Sequence, residues 1–198
     1  MIIFLNGCSS AGKSTIAKAI QHLSQKPWLL IGIDTFFQMM PSDYVGFGDK
    51  ADQGFHFIPE HDEVGPLVRI VSGPFGEAVV KAVPNVIRTL AESGFDLIVD
   101  EVVFGDEGIR RYAKALSGET VYFIGVMCGL PALQEREILR GDRAVGLGRD
   151  QMTRVHNQNC FYDLSVDTTR TSAFVCAREI LKFIDENPSP QGFKSIGK

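Results

Sequence analysis

The chain has 198 residues, 44% hydrophobic and 22% charged, with a net charge of −4, which suits one α/β domain with a substantial core. That acidic balance supplies no basic stripe for a nucleic-acid partner, and no apolar run approaches the roughly 20 residues that span a bilayer. Cys8, Cys128, Cys160 and Cys176 are scattered with no C-x-x-C pair, and the strand-like start lacks the basic region of a signal peptide, so reduced cysteines in a cytoplasmic protein are expected.

Ile2-Ile3-Phe4-Leu5 reads as a buried strand, and Ile16, Ala17, Ile20 and Leu23 recur at helical spacing. Between them lies Gly7-Cys8-Ser9-Ser10-Ala11-Gly12-Lys13-Ser14, the Gly-x-x-x-x-Gly-Lys-Ser pattern that holds the phosphates of a nucleoside triphosphate. Glycine lets the backbone wrap an anion closely, and N–H groups at the helix N-terminus point at it. Gly7, Ser9, Ser10, Ala11, Gly12, Lys13, Ser14 and Thr15 are therefore the expected nucleotide-binding residues. Lys13 would reach the β- and γ-phosphates, and the Ser14 hydroxyl would ligand Mg²⁺. Cys8, inside the loop, is an expected target for thiol reagents.

Pro27 ends the first helical pattern, and Trp28 to Ile33 makes a second buried strand that ends on Asp34. Ligands of open α/β sheets sit at the carboxyl ends of the strands, which points the Asp34 carboxylate at the site. Residues 41–73 mix glycines, prolines, acidic residues and histidines without clear periodicity, the composition of a functional lid or substrate loop. Phe36, Phe37, Met39, Phe55 and Phe57 are candidates for an apolar acceptor pocket, and His56 and His61 lack metal-ligand spacing. Exposed aromatics in 41–58 would offer a face to a second copy of the chain.

Phe75 to Ala91 is a helix by its apolar spacing, with a kink or break expected at Pro84 and a cap at Gly94. Phe95 to Val99 is a third strand ending on Asp100-Glu101, where a P-loop enzyme places the acidic group that holds Mg²⁺; Asp100 is the expected ligand with Ser14. A short helix over Gly108–Leu116 leads to the strand Val121–Met127, a continuous apolar run typical of a parallel sheet covered on both faces. Pro131 opens a helix bearing Arg136 and Arg140 on one face, with Arg143 following. Such a cluster can clamp phosphoryl oxygens, and a solvated face paired with Glu135 and Glu137 is the alternative. Gln151–His156 reads as a helix and Tyr162–Val166 as the fifth strand. Ser172 caps a last helix, and a frayed tail follows from Asn187.

These motifs resemble the chloramphenicol phosphotransferase-like proteins, P-loop kinases related in fold to adenylate and shikimate kinases. The matching stretches are Leu5 to Ser14, the strand ending in Asp34, Ile98-Val99-Asp100-Glu101-Val102, Glu135-Arg136-Glu137 with Arg140-Gly141-Asp142-Arg143, Val155-His156, and Tyr162-Asp163 through Val166-Asp167-Thr168. The family pattern has two aspartates where this chain has Asp100-Glu101, and residues 41–60 match it least. The resemblance implies a three-layer α/β fold, a five-stranded parallel sheet with helices on both faces. It also implies ATP-dependent phosphorylation of a small-molecule hydroxyl, chloramphenicol or a similar compound, with ATP and Mg²⁺ as cofactors. Asp34 would be the base, with Lys13, Arg136 and Arg140 stabilising the transferred phosphoryl group. One domain is expected over 1–186, with 41–73 as substrate or lid region, 131–150 as an arginine-bearing lid, and 187–198 as a flexible tail. A toxin-type nucleotide-sugar kinase and a non-catalytic ATP-binding module are the alternatives. A GTPase is excluded by the lack of Asn-Lys-x-Asp, and a nucleoside monophosphate kinase by Asp-Glu-Val-Val-Phe in place of Asp-Gly-x-Pro-Arg.

Overall fold

Strand β1 (Ile2–Asn6) is buried along its whole length because it is central in a parallel sheet with both faces covered. In this computed structural model, which describes residues 1–141, 144–156 and 161–196, β1 pairs on one side with β6 (Asp96–Glu101) and on the other with β7 (Val121–Met127). Strand β2 (Trp28–Gly32) joins the outer edge of β6, and β8 (Leu164–Asp167) that of β7; all five strands are parallel, in the order β2-β6-β1-β7-β8. The five-stranded parallel sheet expected from the sequence is present.

Alternate side chains of β1 feed two cores. Ile3 and Leu5 face helices α1 (Lys13–Leu23) and α7 (Ala173–Glu186), through Ile16, Ile20, Cys176 and Ile180. Ile2 and Phe4 face α3 (Pro74–Glu92) and α4 (Gly105–Ala115), through Val83, Ile87, Ile109 and Tyr112. Burying side chains of this size stabilises by roughly 1.5–3 kcal/mol each, which is why the apolar runs of β1, β6 and β7 are continuous. Helix α3 runs unbroken through Pro84, which is buried, so the break expected there is absent.

The segment expected to be irregular is largely sheet. After the short helix α2 (Ile33–Met39), a two-residue strand β3 (Val45–Gly46) pairs with β4 (Phe55–Asp62). That strand then forms an antiparallel hairpin with β5 (Gly65–Ser72). Pro59 and Pro66 hid these strands. Proline lacks the ladder N–H but is tolerated at a sheet edge, and beyond His56 the outer side of β4 has no partner strand among the described residues. The hairpin tip rests on α6 (Leu147–Val155). Both Asp62 carboxylate oxygens accept from Arg149 at 2.9 Å, and Arg149 also donates to the Gly65 and Pro66 carbonyls.

The frayed tail expected from Asn187 is instead docked as far as Ile196. The short helix α8 (Gly192–Ser195) inserts Phe193 against Phe4 and Phe123, and Asp163 accepts from the N–H groups of Gln191 and Gly192. Phe47 stays exposed beside Phe57. Among the described residues, no helix is long and apolar enough to cross a membrane.

Candidate active site

The phosphate loop joins β1 to α1 and opens at the carboxyl end of the central strand. Gly12 has φ +95°, a left-handed conformation that any side chain would strain, and it turns the chain into the helix at Lys13. Ser9, Ser10, Gly12, Lys13, Ser14 and Thr15 line a cavity of about 570 Å³. Gly7 and Ala11 lie behind it. A Cβ on Gly7 would meet the Val126 carbonyl at 2.6 Å, and the Ala11 carbonyl accepts from the Thr168 hydroxyl at 2.7 Å.

Asp100 ends on the same cavity. Its Oδ2 accepts from the Ser14 hydroxyl at 2.5 Å, and its Oδ1 lies 3.5 Å from Lys13 Nζ, which donates to the Cys8 carbonyl at 3.0 Å. A hydroxyl beside a carboxylate is a donor set that suits Mg²⁺, a hard cation that takes one or two protein oxygens together with phosphate and water oxygens. Ser14 and Asp100 therefore fit the ion the sequence implied. Glu101 does not share this position, since it contacts Tyr112 on the opposite face of β6. Burial pushes its carboxyl up to about 8, with Asp100 adding to the shift.

Asp34 lies in the first turn of α2 and lines the cavity. Gly32 makes this possible: it pairs with Asp100, and a Cβ there would fall 2.0 Å from the Asp100 carbonyl. Beyond Asp34 the wall turns apolar, with Ile33, Phe37, Phe55, Ile70, Val80, Val102 and Phe104. Of the five candidate pocket residues, Phe37 and Phe55 line it, their rings tilted against each other with centroids 4.6 Å apart. Phe36 packs into the core, Met39 is 74% exposed, and Phe57 lies outside the lining.

The two arginines of α5 (Leu130–Arg140) part company. Arg140 lines the cavity. Arg136 does not; its guanidinium donates to the Thr168 carbonyl and hydroxyl, the Cys128 sulfur and the Ala11 carbonyl. The pair therefore does not form one clamp here, because Thr168 at the end of β8 supplies acceptors that occupy Arg136. Arg143 lies outside the described residues. Sequence reasoning did not find Arg69, Arg111 and Arg154, which also line the cavity. Arg154 lies over the Phe104 ring at 4.2 Å and pairs with Asp150 at 2.7 Å, while Arg111 pairs with Glu107. Only tertiary folding brings these cations to the site, and none stands in a motif.

The loop is braced from behind by α6. Gln151 accepts from the Ser9 N–H at 2.6 Å, and fully buried Glu137 accepts from Gly146 and Gly148. Asn6, at the end of β1, accepts from the Val103 N–H and donates to the Tyr162 hydroxyl, which lies 2.8 Å from His156 Nδ1. Desolvation lowers the pKa of His156, with the Lys13 charge contributing. Cys8 is 1% exposed, and burial pushes its thiol up to about 11, so the expected thiol sensitivity has no structural basis.

A phosphate loop on the central strand of a parallel five-stranded sheet, with a carboxylate from the neighbouring strand on its serine, defines the class: a P-loop phosphotransferase of the small-kinase type. The chain belongs to the chloramphenicol phosphotransferase-like protein family, whose model matches residues 1–185. A Mycobacterium tuberculosis relative, provisionally named an O-phosphotransferase, is 28% identical over 198 residues, covering 100% of this chain and 88% of its own. Among solved structures, the Mycobacterium tuberculosis APS kinase in complex with AMPPNP and APS superposes with a TM-score of 0.63 at 15% identity, over 93% of this chain and 96% of that one. A Sinorhizobium meliloti gluconokinase superposes with a TM-score of 0.59 at 14% identity, over 93% and 91%. These structural likenesses establish the fold.

Proposed function

We propose that the protein transfers the γ-phosphoryl group of ATP to a hydroxyl of an amphipathic small molecule. One observation carries the reading: a single cavity runs from the phosphate loop, past Asp100 and Asp34, to an apolar wall built by α2, the β4–β5 hairpin, α3 and the loop before α4. Donor and acceptor then share one cavity, and phosphoryl transfer requires mainly positioning and charge stabilisation. The AMPPNP held by the APS kinase of the same fold supports ATP as donor.

In this reading the loop N–H groups and Lys13 hold the β- and γ-phosphates. Asp34 orients the acceptor hydroxyl and takes its proton as the oxygen bonds to the γ-phosphorus, while the bond to the β–γ bridging oxygen breaks and ADP leaves. Arg140 faces the charge that develops on the transferred group. Mg²⁺ held by Ser14 and Asp100 would neutralise phosphate charge. Chloramphenicol, with its aryl group and two hydroxyls, is the first acceptor to test, and the part-apolar wall supports a compound of that kind. Residues 131–150 are read as the donor-side lid, and the free thiols of Cys8, Cys128 and Cys176 support a cytoplasmic setting.

The test is an ATP-consumption screen over hydroxylated antibiotics, sugars and nucleotide sugars, with Asp34→Asn as the blank. Acceptor-dependent ADP release that vanishes in the blank supports the reading. Tight ATP binding with no acceptor-dependent turnover would favour a nucleotide-binding module.

A further inference from the structure

Strand β6 ends in two carboxyl groups turned to opposite faces of the sheet. Asp100 meets Ser14 and Lys13, whereas Glu101 meets the Tyr112 hydroxyl of α4. Glu101 is 4% exposed and Tyr112 7%, yet both line the cavity. The Tyr112 hydroxyl lies beside the Glu101 carboxyl, and Glu101 Oε1 has no hydrogen-bond partner among the described residues. A buried polar atom with no partner is costly unless a ligand or a water satisfies it. Its location indicates which ligand. Gly32 of β2 is in register with Asp100, so Glu101 stands one residue further on, at the end of the strand adjoining the one that leads into Asp34. A group bonded to Glu101 would therefore belong to the same small molecule whose hydroxyl reaches Asp34.

We propose that Glu101, beside Tyr112, binds a second polar group of the acceptor. That group is a hydroxyl or N–H near the phosphorylated hydroxyl, so the site selects diols and amino alcohols on an apolar body over simple mono-alcohols. This rests on the O-kinase reading above and adds the feature that sets acceptor choice. Its chemical basis is asymmetric: a mono-alcohol leaves Glu101 Oε1 desolvated and unpaired, and sites built around a buried polar partner reject ligands that lack its complement.

The test measures kcat and KM for three probes, phenylpropanol, phenylpropanediol and chloramphenicol, in the wild type and in Glu101→Leu, Glu101→Gln and Tyr112→Phe. Wild-type kcat/KM should favour the two polyfunctional probes over the mono-alcohol by at least about tenfold. Glu101→Leu should bring that ratio near one, chiefly by raising KM for the polyfunctional probes. Glu101→Gln, which keeps hydrogen-bonding atoms, should retain most of the preference, and Tyr112→Phe should lose part of it. Fluorescent-ATP affinity reports whether each variant is folded. A wild type that does not discriminate overturns the proposal. So does a preference that survives undiminished in whichever of Glu101→Leu and Tyr112→Phe binds ATP normally, since Oε1 would then serve only a structural water. Turnover of none of the probes, or of any alcohol in the wider screen, by a wild type that binds ATP tightly is a different failure: it removes the O-kinase reading, and this proposal with it.

Discussion

The Ser14 hydroxyl donates to Asp100 Oδ2 at 2.5 Å, joining the last residue of the phosphate-loop motif to a strand end 86 positions away. The same carboxylate lies 3.5 Å from Lys13 Nζ. Asp100 therefore engages both phosphate-loop side chains. Asp100→Asn should raise the Mg²⁺ concentration needed for half-maximal ATP turnover by about tenfold or more, in line with a lost hard-oxygen ligand. A Mg²⁺ titration of turnover at saturating ATP checks this, and an unshifted midpoint would remove Asp100 from the metal site.

Asp34→Asn keeps the size and position of the side chain and removes its basicity. Transfer should fall by about 10²–10⁴-fold, the usual contribution of a positioned general base. ATP affinity, measured with a fluorescent analogue, should hold, because Asp34 lies in α2 and not in the phosphate loop. Lys13→Ala should weaken affinity and transfer together.

Cys8 should be inert while the protein is folded. It is 1% exposed and burial pushes its thiol up to about 11, so little thiolate forms at neutral pH and reagents reach it poorly. Iodoacetamide at pH 7.5 followed by peptide mapping should find Cys8 unmodified in the native protein and alkylated in denaturant. Rapid native labelling would contradict the buried loop.

His156 makes the fold acid-sensitive. Its pKa is lowered from 6.5, so the unfolded chain takes up this proton at a higher pH than the native one. The contribution is complete above pH 6.5 and is lost as pH falls through the lower folded value. Between pH 7 and 5 the melting temperature of the wild type should drop further than that of His156→Gln. Parallel pH profiles for the two proteins would sink the assignment.

Phe193 is a core residue from the chain terminus, packed at 5.1 Å from Phe4 and 4.7 Å from Phe123. Phe193→Ala should cost about 3 kcal/mol, near the lower end for aromatic truncation because the terminal segment can relax. Thermal unfolding should show a drop of roughly 6–12 °C for a chain of this size. An unchanged midpoint would mean that the tail does not dock.

The sequence by itself determined the phosphate loop and the sheet. Both follow from local rules: a glycine pattern between an apolar run and a 3.6-residue period, and continuous apolar runs such as Val121–Met127 that only a doubly covered parallel strand requires. The placement of Asp34 and Asp100 on the cavity was legible for the same reason, since strand ends are where such folds open their clefts. Tertiary structure decided what depends on distant neighbours. Arg136 and Arg140 share a helix face in the sequence, yet Thr168 from the far end of the chain engages only one of them. Pro59 and Pro66 obscured a hairpin that is held down by Arg149 from α6. Asp100 and Glu101 are adjacent in the sequence, but alternation along the strand sends one to the phosphate loop and the other to Tyr112. Spacing locates the phosphate loop because one short segment builds it. The part of the cavity proposed to take the acceptor draws on α2, β4, β5, β6 and α4, so only their packing defines it.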